Sequence, residues 1–217
     1  MRKRMLLLSL LVVTFAATAA FADTVTDTTI GVSYTLTSTF SPISTSGGQS
    51  TFAVTLAIDT SGYNGNGQIS SGGYLDAVAL LNFANQTSIT LNNVNGSTSM
   101  AGLFTQTAGG LNSSGCDGSG NFVCWELTNP TSSGTLFAVP DGTYDFTFYV
   151  TVNGTTLNSD SDIKAFFTDN SGANGGLTSM AITVQPQTSP VPEPTSMMLL
   201  GSGLLGMAGY VRRKLRS

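Results

Sequence analysis

Three stretches of this chain alternate apolar and polar residues with a period of two, which suits a strand and not a helix. Ile30, Val32, Tyr34 and Leu36 are interleaved with Thr29, Ser33, Thr35 and Thr37. Phe52, Val54, Leu56 and Ile58 alternate with Thr51, Ala53, Thr55, Ala57 and Asp59. Tyr144, Phe146, Phe148, Val150 and Val152 alternate with Thr143, Asp145, Thr147, Tyr149 and Thr151. Each set directs one row of side chains into a core and the other into water.

Weaker strand signals run from Tyr74 to Phe83, Ser88 to Val94, Phe122 to Leu127, Ile163 to Thr168 and Leu177 to Val184. Turn chemistry separates the runs. Asn64-Gly65-Asn66-Gly67, Asn95-Gly96, Asp141-Gly142 and Asn153-Gly154 offer residues that tolerate positive φ. Leu75 to Ala84 also permits a short helix, since Leu75, Val78, Ala79 and Asn82 share one helical face; a strand is the preferred reading. No fixed-period repeat signals a solenoid. The expected fold over residues 23–188 is all-β: a β-sandwich, jelly-roll-like, of eight or nine strands.

Charge limits what such a domain can bind. Only Lys164 is cationic between Asp23 and Asp169, against eleven carboxylates, so this region carries a net −10. That excludes a basic nucleic-acid footprint. The chain contains no His, which removes the commonest general base and metal ligand. Charged residues are 9 % of the total, well under the usual value of about 25 %, while 41 % are hydrophobic, which argues against disorder.

The other cations cluster at the ends. Arg2, Lys3 and Arg4 precede an apolar run from Met5 to Phe15, and Ala20-Phe21-Ala22 supplies small residues before Asp23. This reads as a signal peptide over residues 1–22, cut between Ala22 and Asp23 by signal peptidase after the export translocon. At the other end, Pro192-Glu193-Pro194 leads into an uncharged run ending at Val211, followed by Arg212, Arg213 and Lys214. As a helix, residues 196–211 would span roughly 25 Å and just cross a bilayer, with the basic cluster on the cytoplasmic side. Gly201, Gly203, Gly206 and Gly209 would let another helix approach closely.

Residues 189–217 closely resemble the PEP-CTERM sorting signal of exosortase-bearing Gram-negative bacteria. Pro192, Glu193 and Pro194 match the name-giving motif, Leu199 to Val211 its Gly-rich helix, and Arg212 to Lys214 its basic cluster. The resemblance implies a membrane exosortase that recognises the tail and cuts near the motif. The protein would be anchored transiently in the inner membrane and pass to the cell surface or extracellular matrix. The same tail is also called an ice-binding protein C-terminal domain, a label for the tail and not for an activity.

Within the body, Cys116 and Cys124 are the only cysteines. In an exported chain they read as one disulfide, worth roughly 2.5 kcal/mol for so short a loop and pinning a Gly-rich hairpin. Asp117, Ser119 and Asn121 alternate like the start of a calcium loop, but the twelfth position holds Thr128 where a bidentate Glu is needed, so a solvated turn is expected. Asp160-Ser161-Asp162 and Asp169-Asn170 could bind calcium between loops, but are read as bounding the strand from Ile163 to Thr168. Glu126, Asp141 and Asp145 are available for carboxylate chemistry on glycosides. Ser161 and Lys164 have a Ser-x-x-Lys spacing, but at a strand start where the catalytic motif opens a helix. Trp125 could stack on a sugar ring or pack against the disulfide. The Thr rows could meet carbohydrate or ice, although Thr is a good strand former in any case. Sequons at Asn85, Asn95, Asn112 and Asn153 are read as incidental.

These features point to an exported structural or adhesive surface protein, with exopolysaccharide as a candidate partner, no cofactor, no metal site and no enzymatic activity. A carbohydrate- or ice-binding module and a carboxylate-dependent hydrolase are the alternatives.

Overall fold

The computed structural model describes residues 23–39, 41–64, 73–157, 160–169 and 174–186. The expected signal peptide 1–22, the expected membrane segment 196–211, the sorting motif and the basic cluster 212–214 lie outside them. Among the described residues no helix is long and apolar enough to cross a membrane.

Strands dominate. In chain order they are β1 (Thr24–Asp27), β2 (Val32–Ser38), β3 (Ser44–Ser46), β4 (Gln49–Asp59), β5 (Gly73–Leu81), β6 (Gln86–Val94) and β7 (Phe104–Asn112). After them come β8 (Gly115–Leu127), β9 (Ala138–Val139), β10 (Thr143–Asn153), β11 (Asp160–Thr168), β12 (Asn174–Thr183) and β13 (Gln185–Pro186). Two single-turn helices, α1 (Thr98–Ala101) and α2 (Pro130–Ser133), and a 3-10 turn (Gly134–Phe137) lie in the connections.

The strands form two sheets. The first runs β1-β2-β4-β10-β6, with β3 on β4 and β13 parallel to the end of β2. The second runs β12-β11-β5-β8-β7, with β9 on β5. Every pairing except β13 with β2 is antiparallel. The expected β-sandwich is therefore present, but with thirteen strands among the described residues instead of eight or nine; β1, β3, β9 and β13 have four residues or fewer.

The period-two rows pack as their pattern requires. Val32, Tyr34, Leu36, Val54, Leu56, Ile58, Phe146, Phe148, Val150 and Val152 are all fully buried. β10 and β4 pair in register over eleven residues, from Thr143↔Asp59 to Asn153↔Gln49, which holds both polar rows on the outer surface. Against these inner rows the second sheet places Leu75, Val78, Leu80, Trp125, Ile163, Ala165 and Phe167. Aromatic contacts knit the centre: Phe104 meets Phe137 and Phe146 edge-on, with ring centroids 5.1 and 5.5 Å apart.

One buried polar tie crosses between the sheets. The Tyr34 hydroxyl on β2 lies 2.8 Å from the Thr178 hydroxyl on β12. Thr178 Oγ1 also accepts from the Ala165 N–H. Burial pushes the Tyr34 hydroxyl well above its ordinary pKa. It likewise pushes Tyr63 and Tyr144 up to about 12 and raises Tyr74. Tyr144 donates to the Ala138 carbonyl at 2.6 Å. At the other end of the domain, the Asp23 carboxylate accepts from the Thr183 N–H at 3.1 Å, tying the start of β1 to the end of β12.

The preferred strand reading near Tyr74 holds, and one further long strand appears. Leu75 to Leu81 is strand β5, so the helical alternative is excluded. Residues Phe104–Asn112 form β7, which carried no sequence signal because its middle, Thr105 to Ala108, is polar or small and exposed.

Replacing Tyr34 with Phe should remove one buried hydrogen bond, with Thr178 still bonded to Ala165, and cost about 1 kcal/mol, read from urea unfolding followed by the single Trp. Below pH 10 the four tyrosines are protonated in both states. From pH 10 to about 12 the unfolded chain releases protons that the folded one retains, so stability should fall across that window. Unfolding midpoints measured from pH 9 to 12 check this.

Candidate functional site

The outer face of the second sheet is covered by part of the chain itself. Along β8, Trp125 points inward, so Phe122, Cys124 and Glu126 point outward. On neighbouring β5, Ala77 pairs with Glu126 and Ala79 with Cys124. Ala77, Ala79, Cys124 and Phe166 form a second apolar cluster with Leu111 and Cys116. Leu111 and Cys116 come from the tip of the β7–β8 hairpin, so the tip is folded back over its own sheet.

Register shows how the reversal is made. Ala108 pairs with Val123, but Gly110 pairs with Gly118, so β8 spends five residues where β7 spends two. The strands touch closely there: a Cβ on Gly110 would lie 2.3 Å from the Ser119 carbonyl oxygen. Only residues without side chains fit that approach. The disulfide Cys116–Cys124 then holds the fold-back, with the two Cα atoms 5.6 Å apart across eight residues. Both cysteines belong to β8, so the bond staples the tip down onto the sheet and does not cross the hairpin. Asp117, Ser119 and Asn121 lie within β8 and not in a turn. The turn falls at 113–114, where Asn112 Oδ1 accepts from the Ser114 N–H at 2.7 Å.

Beneath the tip lies a carboxylate pair. Glu126 Oε2 accepts from the Cys116 N–H at 3.3 Å. Its Oε1 sits under Gly115, where an added Cβ would land 2.1 Å away and where φ is +110°. Asp76 lies one residue from Ala77, at the bulge where pairing with β11 steps from Phe166↔Ala77 to Phe167↔Leu75. It is 7 % exposed, and its Oδ1 is buried with no hydrogen-bond partner. Burial first, and the neighbouring Glu126 charge second, push its carboxyl up to about 6. Nothing in the chain pattern flagged Asp76 as a candidate; the available signal was one acidic residue inside the apolar run Tyr74–Leu81.

The other expected site residues do not converge. Asp141 and Asp145 are exposed beside the first sheet, and the Asp145 N–H is bound to Asn95 Oδ1 at 2.8 Å. Glu126 is on the outer side of the second sheet, so the core separates it from them. Ser161 is buried, donating to the Leu81 carbonyl, whereas Lys164 lies on the opposite face, 4.5 Å from the Phe122 ring centroid. A strand puts positions three apart on opposite faces, so no Ser–Lys pair forms. Asp160 opens β11 and Asp169 directly follows it. Among the described residues no three His, Cys, Asp or Glu side chains are grouped for a metal.

Trp125 is not a stacking platform. It is 1 % exposed and packs on Phe148 with centroids 4.6 Å apart. It also avoids the disulfide, because Cys124 occupies the other face. Among the described residues the exposed aromatic is Tyr149, at 38 % exposure, on the polar phase of β10. It stands opposite Ala53 and Thr90. Around it the Thr rows are present, and their hydroxyls pair across strands: Thr51 with Thr151 at 3.0 Å and Thr55 with Thr147 at 3.3 Å.

Residues 190–214 match the PEP-CTERM protein-sorting motif. The chain thus carries the sorting signal that its tail resembles, and the motif implies an exported protein processed by an exosortase-type membrane enzyme. No curated protein matches the chain. Among solved structures, the C-terminal domain of the Streptococcus agalactiae antigen I/II polypeptide BspA is similar over 69 % of this chain and 50 % of its own, with 11 % identity and a TM-score of 0.37. The C-terminal domain of the Streptococcus pyogenes antigen I/II-family protein AspA gives 71 % and 52 %, 12 % identity and 0.39. BcpA, the major pilin subunit of Bacillus cereus, gives 72 % and 41 %, 10 % identity and 0.37. This chain spans about half the length of the first two. Likeness at these scores carries no functional argument.

Replacing both cysteines with Ser should free the tip and cost about 2–3 kcal/mol, read from urea midpoints with and without the bond. Asp76 binds its proton more tightly in the folded state. Its cost is therefore absent below about pH 4 and grows as pH rises through about 6. In the presence of a chelator, Asp76→Asn should stabilise the domain at pH 7 by on the order of 1–2 kcal/mol, with the gain gone at pH 4.

Proposed function

We propose that this chain is a non-enzymatic structural or adhesive protein of the cell surface or extracellular matrix, delivered there by exosortase-type sorting. The single observation that carries the reading is the sorting motif at residues 190–214. Signal peptidase cleavage after Ala22 and transient anchoring by residues 196–211 complete the route. The body supports a passive role. Glu126 lies across the core from Asp141 and Asp145, so these three carboxylates do not converge on one site.

A second reading within this role concerns the partner. The outer face of the first sheet is broad, poor in charge and rich in hydroxyls, with Tyr149 exposed at its centre. An amphipathic ring among hydroxyls is suited to neutral polysaccharide: the ring covers the apolar face of a sugar, and the Thr hydroxyls take its polar rim. Tyr149 replaces Trp125 as the residue for that contact. The region's net negative charge disfavours anionic polymers.

Cell fractionation with intact-mass measurement tests the route. The wild-type body should appear outside the cell lacking both ends. Changing Pro192, Glu193 and Pro194 to Ala should hold an uncut tail in the membrane fraction; secretion and trimming of that variant as in the wild type would defeat the assignment. For the partner, Tyr149→Ala should weaken retention on the producing strain's exopolysaccharide about tenfold without changing the unfolding free energy by more than about 0.5 kcal/mol.

A further inference from the structure

We propose that Asp76 and Glu126 form a calcium site beneath the folded-back tip of the β7–β8 hairpin. Asp76 is more than nine-tenths buried, yet its Oδ1 has no donor. A buried carboxylate oxygen without a partner is costly, and native proteins almost always satisfy such atoms. The bulge in β5 falls at Asp76, which directly precedes Ala77, the residue paired with Glu126. A second carboxylate beside it makes the deficit worse, since two like charges share one poorly hydrated place.

Among the described residues no cation relieves the pair. Lys164 is the only Lys or Arg between Asp23 and Asp169, and it sits over the Phe122 ring. Glu126 has one long hydrogen bond, from the Cys116 N–H. A bound cation supplies the missing positive charge and takes the orphaned oxygen as a ligand.

The donors select the ion. Both groups are carboxylates, the chain lacks His, and its two cysteines are oxidised to each other, so soft or imidazole-seeking metals have nothing to bind. Calcium accepts irregular oxygen shells that mix carboxylates, main-chain carbonyls and water, whereas magnesium needs near-octahedral geometry. Two protein carboxylates suit the weak, roughly 10⁻⁴–10⁻³ M affinity of extracellular modules. Calcium there would clamp the tip to β5 and β8, acting beside the disulfide. The site does not depend on the sorting route or on the Tyr149 face.

The test is thermal unfolding of the exported protein, followed by Trp125 fluorescence, in chelator, 5 mM calcium or 5 mM magnesium. Calcium should raise the melting temperature by about 5 °C and magnesium by much less. Asp76→Asn and Glu126→Gln should each melt cooperatively in chelator and lose the calcium response. Terbium bound at the wild-type site should be displaced by calcium. An unchanged wild-type melting temperature in calcium would overturn the proposal. So would a response equal in magnesium, or one that survives in the double variant.

Discussion

The fold-back of the β7–β8 hairpin is the constraint on which the second sheet depends. A sandwich strand normally keeps one face in water, but β5 is buried from Gly73 to Leu80. Its inner residues face the first sheet, and Ala77 and Ala79 are covered by Leu111 and Cys116 from the tip. Small residues on β5 leave room for Leu111 and Cys116 to pack over them. Glycines at 109, 110 and 118 are needed because the two hairpin strands nearly touch as they turn. The disulfide then fixes an arrangement that a two-stranded ribbon would not hold by itself.

The same covering explains how much could be read from sequence. β2, β4 and β10 were legible residue by residue because each has one wet and one dry face, and their alternation reports it. β5 looked ambiguous between strand and helix because covering both faces erases the alternation. β7 was invisible for the opposite reason: its central residues are exposed, so Thr105 to Ala108 bear no apolar mark. The pairing of Cys116 with Cys124 was legible, but not that it staples a tip onto a sheet, because that depends on a register break at Gly110. The tail was legible as a motif, since Pro192 to Lys214 carry their meaning in local order.

Site chemistry was harder to read than fold. Trp125 is the only Trp in the sequence, yet its neighbours on the strand place it on the core phase, while Tyr149 lies on the wet phase of β10. Asp76 hid inside an apolar run. The carboxylates that were considered, Glu126 with Asp141 and Asp145, belong to opposite sides of the sandwich. Proximity across strands is set by register, and register is not visible one segment at a time.

The way the chain leaves the domain has a mechanical side. Its last described residues, Gln185 and Pro186, are held to β2 by a two-residue parallel pairing, and the strand before them, β12, is the outermost of its sheet. Tension drawn through the carboxyl end would therefore strip β13 first and then unzip β12 from β11 one rung at a time, beginning at Thr183 opposite Asp160. Rungs broken singly yield at low force, in contrast to the eleven that β10 and β4 share. A tug on that end is absorbed by a peripheral ribbon while the inner strands and the stapled face stay closed.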